Sequence, residues 1–398
     1  MTGAPREPES ARIPPIALLG LMAAISPLSL GIPVQSIPGI AETFAAPYGA
    51  AQLIVSAFLF SFAVSQLIVG PLSDRLGRKP VLYGGLLIYG LASIGAAMAT
   101  SIELLVIARV LQGMGGCAAL VTPRAVVQDT HKGIEAARMM AFVAMLQSVA
   151  PAVGPIIGGG IDTWLGWRAI FWFLAIFAGL LALGTAIWMN ETRPTYGGSA
   201  DNWGTIFVRY AQLFRSRLYV GYTMTFTFGT IGFFGFLAVG PALLIEGQGF
   251  TPFDFSLALM IIATQFVTGA WVSSRLVARL GMDRTLWIAV VGVSVPSFGL
   301  LLVHDSTSIV ALVVPFAVYA FFNGFIFPNA LAGATGVDPR IAGSASSFLG
   351  FAQLGTGALV AFVLSLLPTG DAFYLAVFLV GLAALSVCGM ILVRTAQR

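Results

Sequence analysis

The chain has 398 residues, of which 58% are apolar and only 9% charged, with a formal net charge of +4. Soluble domains carry about 25% charged residues, so a soluble enzyme or binding module is excluded and a polytopic membrane protein is indicated. The basic excess does not call for nucleic acid, because in a membrane chain the placement of Lys and Arg first records topology.

Residues 1–15 hold Pro, Glu and Arg without an apolar core, so no cleavable signal peptide is expected ahead of the first span. A membrane-crossing helix takes about 20 mainly apolar residues. Twelve such segments follow: 16–38, 50–71, 80–100, 103–127, 139–161, 168–190, 218–246, 252–275, 285–303, 309–333, 342–366 and 371–394. The longest polar interval, 191–217, divides the chain into an N-terminal six-helix bundle at 1–190 and a C-terminal one at 218–398. Within that interval Trp203, Ile206, Phe207, Tyr210, Leu213 and Phe214 recur at helical spacing among Arg209, Arg215 and Arg217. This predicts an amphipathic linker helix on the membrane surface. The expected fold class is all-α, twelve transmembrane helices in two pseudo-symmetric bundles.

If the N-terminus is cytoplasmic, 17 of the 20 basic residues fall on the cytoplasmic side, Arg168 falls outside, and Arg109 and Arg124 lie within the fourth span. This asymmetry supports twelve spans with both termini inside. Cys117 and Cys388 sit far apart in apolar segments, as small hydrophobes do, and imply neither a disulfide nor a metal site. No cofactor is expected. Catalysis would need acids, His or Cys clustered at one membrane depth, and no such cluster is visible, so an enzyme is not expected. A non-transporting receptor is the competing class, and ligand binding without movement across a bilayer would identify it.

Spans two and three are joined by Gly70-Pro71-Leu72-Ser73-Asp74-Arg75-Leu76-Gly77-Arg78-Lys79-Pro80. Pro71 and Gly77 are expected to force a tight turn, and Asp74, Arg75, Arg78 and Lys79 must stay at a membrane face. The stretch resembles the G-x-L-S-D-R-x-G-R-[KR] loop of the major facilitator superfamily. A degraded echo, Arg279-Leu280-Gly281, lies 204 residues later, with Ala278 for Asp74 and Met282 for Arg78.

The fourth span contains Arg109-Val110-Leu111-Gln112-Gly113-Met114-Gly115-Gly116, similar to the R-x-x-Q-G-x-G-x motif of that superfamily's drug exporters. The fifth contains Gly154-Pro155-Ile156-Ile157-Gly158-Gly159, which matches the G-P-x-x-G-G part of the antiporter motif. Glycines there allow close helix approach, and the proline bends the helix. Trp167-Arg168-Ala169-Ile170-Phe171 and Glu191-Thr192-Arg193-Pro194 resemble the W-R-x-I-F start and E-T-x-x-P exit of the sixth helix. Together these features resemble the bicyclomycin-resistance (Bcr/CflA) type of drug:proton antiporter.

The resemblance implies alternating-access export of small drug-like molecules or metabolites, protons as the coupled partner, an inner-membrane location in the lipid bilayer and a single working chain. It also implies a latch in which Asp74, Arg75, Arg78 and Asp129 hold the two halves closed on the cytoplasmic side. One departure stands out. The family places an Asp in the first helix within D-x-Y-x-P, and here Gly31 occupies that position in Leu30-Gly31-Ile32-Pro33-Val34-Gln35.

None of the 16 acidic residues is placed at mid-membrane; Glu42, Glu103 and Glu246 come nearest, at the outer ends of spans. His131 and His304 fall in loops. The interior is instead cationic or neutral. Arg109 and Arg124 lie about 22 Å apart along one helix and about 60° around it, which would let them line one face. Gln35, Gln112, Gln147, Gln265, Asn323 and Gln353 are the amides available to substrate or coupling or, equally, to bonds between helices, with Phe233 from the aromatic-rich seventh span as an apolar wall or a lipid-facing ring. The family resemblance favours a proton-coupled drug exporter. The charge inventory favours a proton-independent facilitator or exchanger of anionic or polar neutral metabolites.

Overall fold

The computed structural model describes residues 14–131, 133–192, 203–306, 308–338, 342–368 and 372–397. Of the charged residues, Arg6, Glu7, Glu9, Arg12, Lys132, Arg193, Asp201, Arg340, Asp371 and Arg398 lie outside the described residues. The described residues form helices joined by short turns and loops, with no strand among them.

The helices of the first half are α1 (Ile16–Gly31), α2 (Ile37–Thr43), α3 (Tyr48–Leu76), α4 (Arg78–Ala97), α5 (Ile102–Thr130), α6 (Gly133–Leu165) and α7 (Trp167–Trp188). The amphipathic linker is α8 (Trp203–Arg215). The second half comprises α9 (Arg217–Thr230), α10 (Gly232–Pro241), α11 (Pro252–Leu280), α12 (Met282–Leu302), α13 (Ile309–Gly336), α14 (Ala342–Ser365) and α15 (Phe373–Ala396). α1 and α2 make one interrupted crossing, Ile16–Thr43, and α9 and α10 belong to another, Arg217–Glu246, so twelve helices among the described residues are long and apolar enough to cross a membrane. Exposed Leu87 and Leu91 on α4, and Ile176, Leu180 and Leu183 on α7, form outward apolar stripes suited to lipid.

Several helices, α3, α5, α6 and α11 among them, overrun the hydrophobic segments by several residues, because hydrophobicity marks hydrocarbon thickness whereas hydrogen bonding and caps decide where a helix stops. The loop motif shows this most clearly. Pro71 does not turn the chain: it lies inside α3, which continues to Leu76. The turn rests on Gly77 alone, whose φ of 104° opens a backbone region that side chains avoid. Gly281, at the echo, makes the equivalent α11–α12 junction with φ 80°.

Helices of each half pack chiefly on one another, and the halves meet along α3 against α14 and α6 against α11. At the end of the bundle away from the termini, here called the distal face, Tyr48 Oη donates to the Ala238 carbonyl at 3.0 Å and Gln52 Nε2 to the Ala361 carbonyl at 2.9 Å. Both bonds cross from one half to the other, so the distal face is closed. On the opposite, terminal face, Leu213 of α8 is buried, and Tyr210 and Phe214 flank Phe348 of α14 with ring centroids 6.0 and 4.8 Å away.

Candidate substrate and coupling site

Ser101 caps α5, and the glycine-rich run from Gly113 lets α3 and α4 approach it closely. Arg109 is drawn into the resulting core and is 0% exposed. Its Nε donates to the Ile54 carbonyl at 3.0 Å and its Nη1 to Gln112 Oε1 at 2.9 Å. Gln112 Nε2 donates in turn to Ser93 Oγ at 2.6 Å, and Ser93 Oγ to the Tyr89 carbonyl at 2.8 Å. The Phe58 ring lies over the guanidinium, 4.3 Å from Cζ to the centroid.

Among the described residues no carboxylate pairs with Arg109, and its Nη2 has no hydrogen-bond partner. Desolvating an ion costs several kcal/mol. Carbonyl and amide dipoles and an aromatic face carry the compensation here. This centre spans α3, α4 and α5 and presents no open surface.

Arg124, four turns along the same helix, is exposed, and its Nη2 donates to Gln147 Oε1 of α6 at 2.6 Å. The two arginines therefore do not line one accessible face. The 60° offset, together with the close packing around Arg109, puts one in the core and the other on a polar surface between α5 and α6.

The second half builds a neutral counterpart around the interruption between α9 and α10. Tyr319 Oη of α13 donates to the Gly229 carbonyl at 2.7 Å and accepts from the Gly232 amide at 3.1 Å, bridging the break. Asn323 Nδ2 donates to the Thr230 carbonyl at 3.3 Å, and Gln353 Nε2 to Thr230 Oγ1 at 2.7 Å. Phe233, half-buried, packs beside the break with its ring 6.0 Å from that of Phe234. Asn323, Gln353 and Phe233 thus come together; Gln265, half-buried on α11, joins neither cluster.

The antiporter motif works by contact. A Cβ on Gly158 would collide with Gln35 Nε2 and the Ile32 carbonyl, and one on Gly159 with Ser256 Oγ and the Pro252 carbonyl. Gly158 therefore seats α6 on the α1–α2 interruption, whereas Gly159 seats it on α11 of the other half. Gly154 faces Leu28 and Ile32, and Pro155 lies in ordinary contact with Gly31, 3.4 Å from where a Gly31 Cβ would be. Gln35 is buried, with its amide donating to the Ile32 carbonyl and its Oε1 without a partner among the described residues.

At the terminal face Arg78 pairs with both Asp74 and Asp129, the latter through Nε at 2.9 Å, and its Nη1 reaches Ser73 Oγ at 2.8 Å. Glu191, just past α7, accepts from the amides of Arg78 at 2.9 Å and Lys79 at 3.1 Å. These contacts tie α3, α4, α5 and the exit of α7 together. All belong to the first half, with Arg75 half-buried beside them.

Residues 19–361 match the model of the Major Facilitator Superfamily. The chain belongs to that superfamily. It is 30% identical over 348 residues to the MFS-type transporter YdgK of Bacillus subtilis, covering 86% of each chain. It is 29% identical to the multidrug resistance protein D of Escherichia coli, over 89% of this chain and 90% of that one. The chloramphenicol resistance protein of Pseudomonas aeruginosa is 32% identical over 68% of this chain and 64% of its own. In fold it matches a bacterial homolog of the human lysosomal transporter Spinster, solved inward-facing and unoccupied, with a TM-score of 0.70 and 15% identity over 96% of this chain and 94% of that one.

As a member of the superfamily the protein is a membrane transporter of small molecules rather than an enzyme. Several residues of its polar centres are invisible to motif reading. Ser93 and Tyr89 read as ordinary span residues, and Thr230 and Tyr319 as bundle filler. Their signal is positional: a hydroxyl or phenol at mid-span must find a partner, and the glycines at 229 and 232 mark where a helix can open. Glu191 was legible only as part of the sixth-helix exit pattern.

Proposed function

We propose that this transporter exports small drug-like molecules or metabolites by alternating access, as a single chain in a bacterial inner membrane, with both termini and the Arg78 latch cytoplasmic. The observation that carries this reading is the asymmetry of the two faces. Cross-half hydrogen bonds close the distal face, while Arg124 and Gln147, within spanning helices, leave a polar accessible surface towards the terminal face. A substrate arriving from the cytoplasm would meet that surface first. The names of the relatives, for multidrug and chloramphenicol resistance, support drug-like cargo.

Coupling to inward proton movement is the reading that kinship with such exporters supports. A second reading has a specific observation behind it: Gly31, packed on Pro155, stands where the family has its first-helix acid, and the buried Arg109 pairs with no carboxylate among the described residues. On that reading the transporter works without obligatory protons, and Arg124 meets an anionic or acceptor-rich substrate.

Proteoliposomes holding a pH-sensitive dye, challenged with cationic, neutral and anionic compounds, separate the two. Substrate-evoked proton flux, absent from empty liposomes, is the expected result. Substrate transport without proton flux, lost on Arg124→Gln for anionic compounds only, would replace proton coupling with the second reading. No transport of any compound that demonstrably binds would overturn export altogether and return the receptor class.

A further inference from the structure

A cavity of about 360 Å³ opens on the terminal face between the start of α12 and the end of α15, remote from both polar centres. Its rim carries Arg284, in the first turn of α12, and Arg394, in the last turn of α15; both are exposed. The one carboxylate in the lining, Asp283, is engaged by neutral donors: Tyr222 Oη at 2.8 Å on Oδ1 and Gln397 Nε2 at 2.9 Å on Oδ2. No ion pair involves either arginine among the described residues. Two guanidinium groups therefore share one cavity, each without a carboxylate partner.

The walls change character with depth. Trp287 lies one turn into α12, where an indole suits the membrane interface. Met390 and Val393 of α15 lie beneath the cavity and are fully buried, so the accessible apolar wall is the half-buried Trp287. A cationic rim beside an indole wall at the membrane interface fits a molecule with a phosphate at one end and a hydrocarbon chain at the other. Basic pockets between transmembrane helices at a membrane face recognise anionic headgroups in this way.

We infer that the α12–α15 cavity binds the phosphate headgroup of an anionic phospholipid, with Arg284 and Arg394 holding the phosphate and Trp287 flanking the glycerol and first acyl carbons. Through Asp283 and Tyr222 the site connects to α9, so an occupied site braces three helices of the second half.

The full-length protein in mild detergent is offered equal phosphatidylglycerol and phosphatidylcholine, and retained lipids are counted by native mass spectrometry. The wild type is expected to retain phosphatidylglycerol selectively, and Arg284→Gln with Arg394→Gln to lose that retention about tenfold while phosphatidylcholine is unchanged. Arg279→Gln, an exposed arginine outside the cavity, is expected to behave as wild type. Equal retention by the double variant overturns the assignment, as does an equal loss in Arg279→Gln, which would mean diffuse attraction. Inorganic phosphate in excess distinguishes a free anion: displacement of the lipid by phosphate alone would overturn the lipid source. Should the double variant fold poorly, Gln397→Glu adds a carboxylate to the cavity without touching either arginine and is expected to weaken phosphatidylglycerol retention in the same direction.

Discussion

In the first half the buried polar centre is a cation, Arg109, held by the Ile54 carbonyl, Gln112 and the Phe58 ring. In the second it is a neutral set, Thr230, Tyr319, Asn323 and Gln353, gathered around an interrupted helix. The terminal faces differ in the same sense: Arg78 pairs with two aspartates in the first half, while its echo has Met282 and Ala278 at the matching places. A buried charge cannot exchange partners without meeting a large desolvation cost. Hydroxyls and amides at a helix break can exchange them for about 1 kcal/mol each. Of the two centres, the one around Arg109 therefore resists rearrangement more strongly, and the α9–α10 break is the cheaper place for motion.

The sharpest way to break this contrast is to alter the cation. Arg109→Met and Arg109→Lys are both expected to lower transport in proteoliposomes by about a hundredfold or more. The lysine fails because one ammonium cannot span the Ile54 carbonyl and Gln112 in the way a planar fork does. Near-normal transport by Arg109→Lys would mean that only the charge matters and that the hydrogen-bond chain to Ser93 is incidental.

The neutral centre should respond differently. Tyr319→Phe leaves the Gly229 carbonyl and the Gly232 amide without their bridge, at about 1–3 kcal/mol for a buried unsatisfied group. The expected outcome is faster amide exchange confined to residues around 229–235, with a moderate fall in transport. Faster exchange spread over the whole second half would show the break to be a folding element rather than a local joint.

How much of this was legible depended on the kind of signal. Twelve spans and the amphipathic linker could be read because hydrophobic length is imposed by the bilayer, whatever the partners. Gly77, Arg78 and Asp129 could be singled out because charge and positive φ tolerate few residues. The fate of Arg109 could not: periodicity gives its direction around α5, but whether that direction ends in core or cavity depends on how closely α3 and α4 approach. Pro71 misled for a related reason. A proline removes one backbone donor but ends a helix only where the chain gains by turning, and Gly77 already supplied that turn. The α9–α10 break left only paired glycines, a weak mark in a chain with 46 of them.

A smaller effect is expected where the first half contacts the second. Gly159→Ala puts a methyl against the Pro252 carbonyl and the Ser256 hydroxyl, so closure of the distal face should be impeded. Gly158→Ala acts against α1–α2 of its own half and should disturb stability more than the opening equilibrium. Accessibility of a cysteine placed at Gln52, measured by thiol labelling in a background lacking Cys388, should rise severalfold with Gly159→Ala and little with Gly158→Ala. Equal labelling would dissolve the distinction between the two glycines.

The smallest effects, and the finest test of whether the first half's charges act as a graded set, belong to the Arg78 cluster. The Asp129 side chain is 12% exposed and that of Asp74 57%, while Arg78 itself is 11% exposed. Solvent screening reduces an exposed pair to about 0–1 kcal/mol, and a largely enclosed charge-assisted hydrogen bond is worth about 1.5–3 kcal/mol. Asp129→Asn should therefore lower the melting temperature and transport more than Asp74→Asn, and salt should erase much of the Asp74 contribution while sparing that of Asp129. If Asp74→Asn instead proves the more damaging for transport while leaving stability untouched, Asp74 acts in a state other than the one seen here. The cluster would then have partners in a second arrangement of the halves, beyond its service here as a brace of the first half.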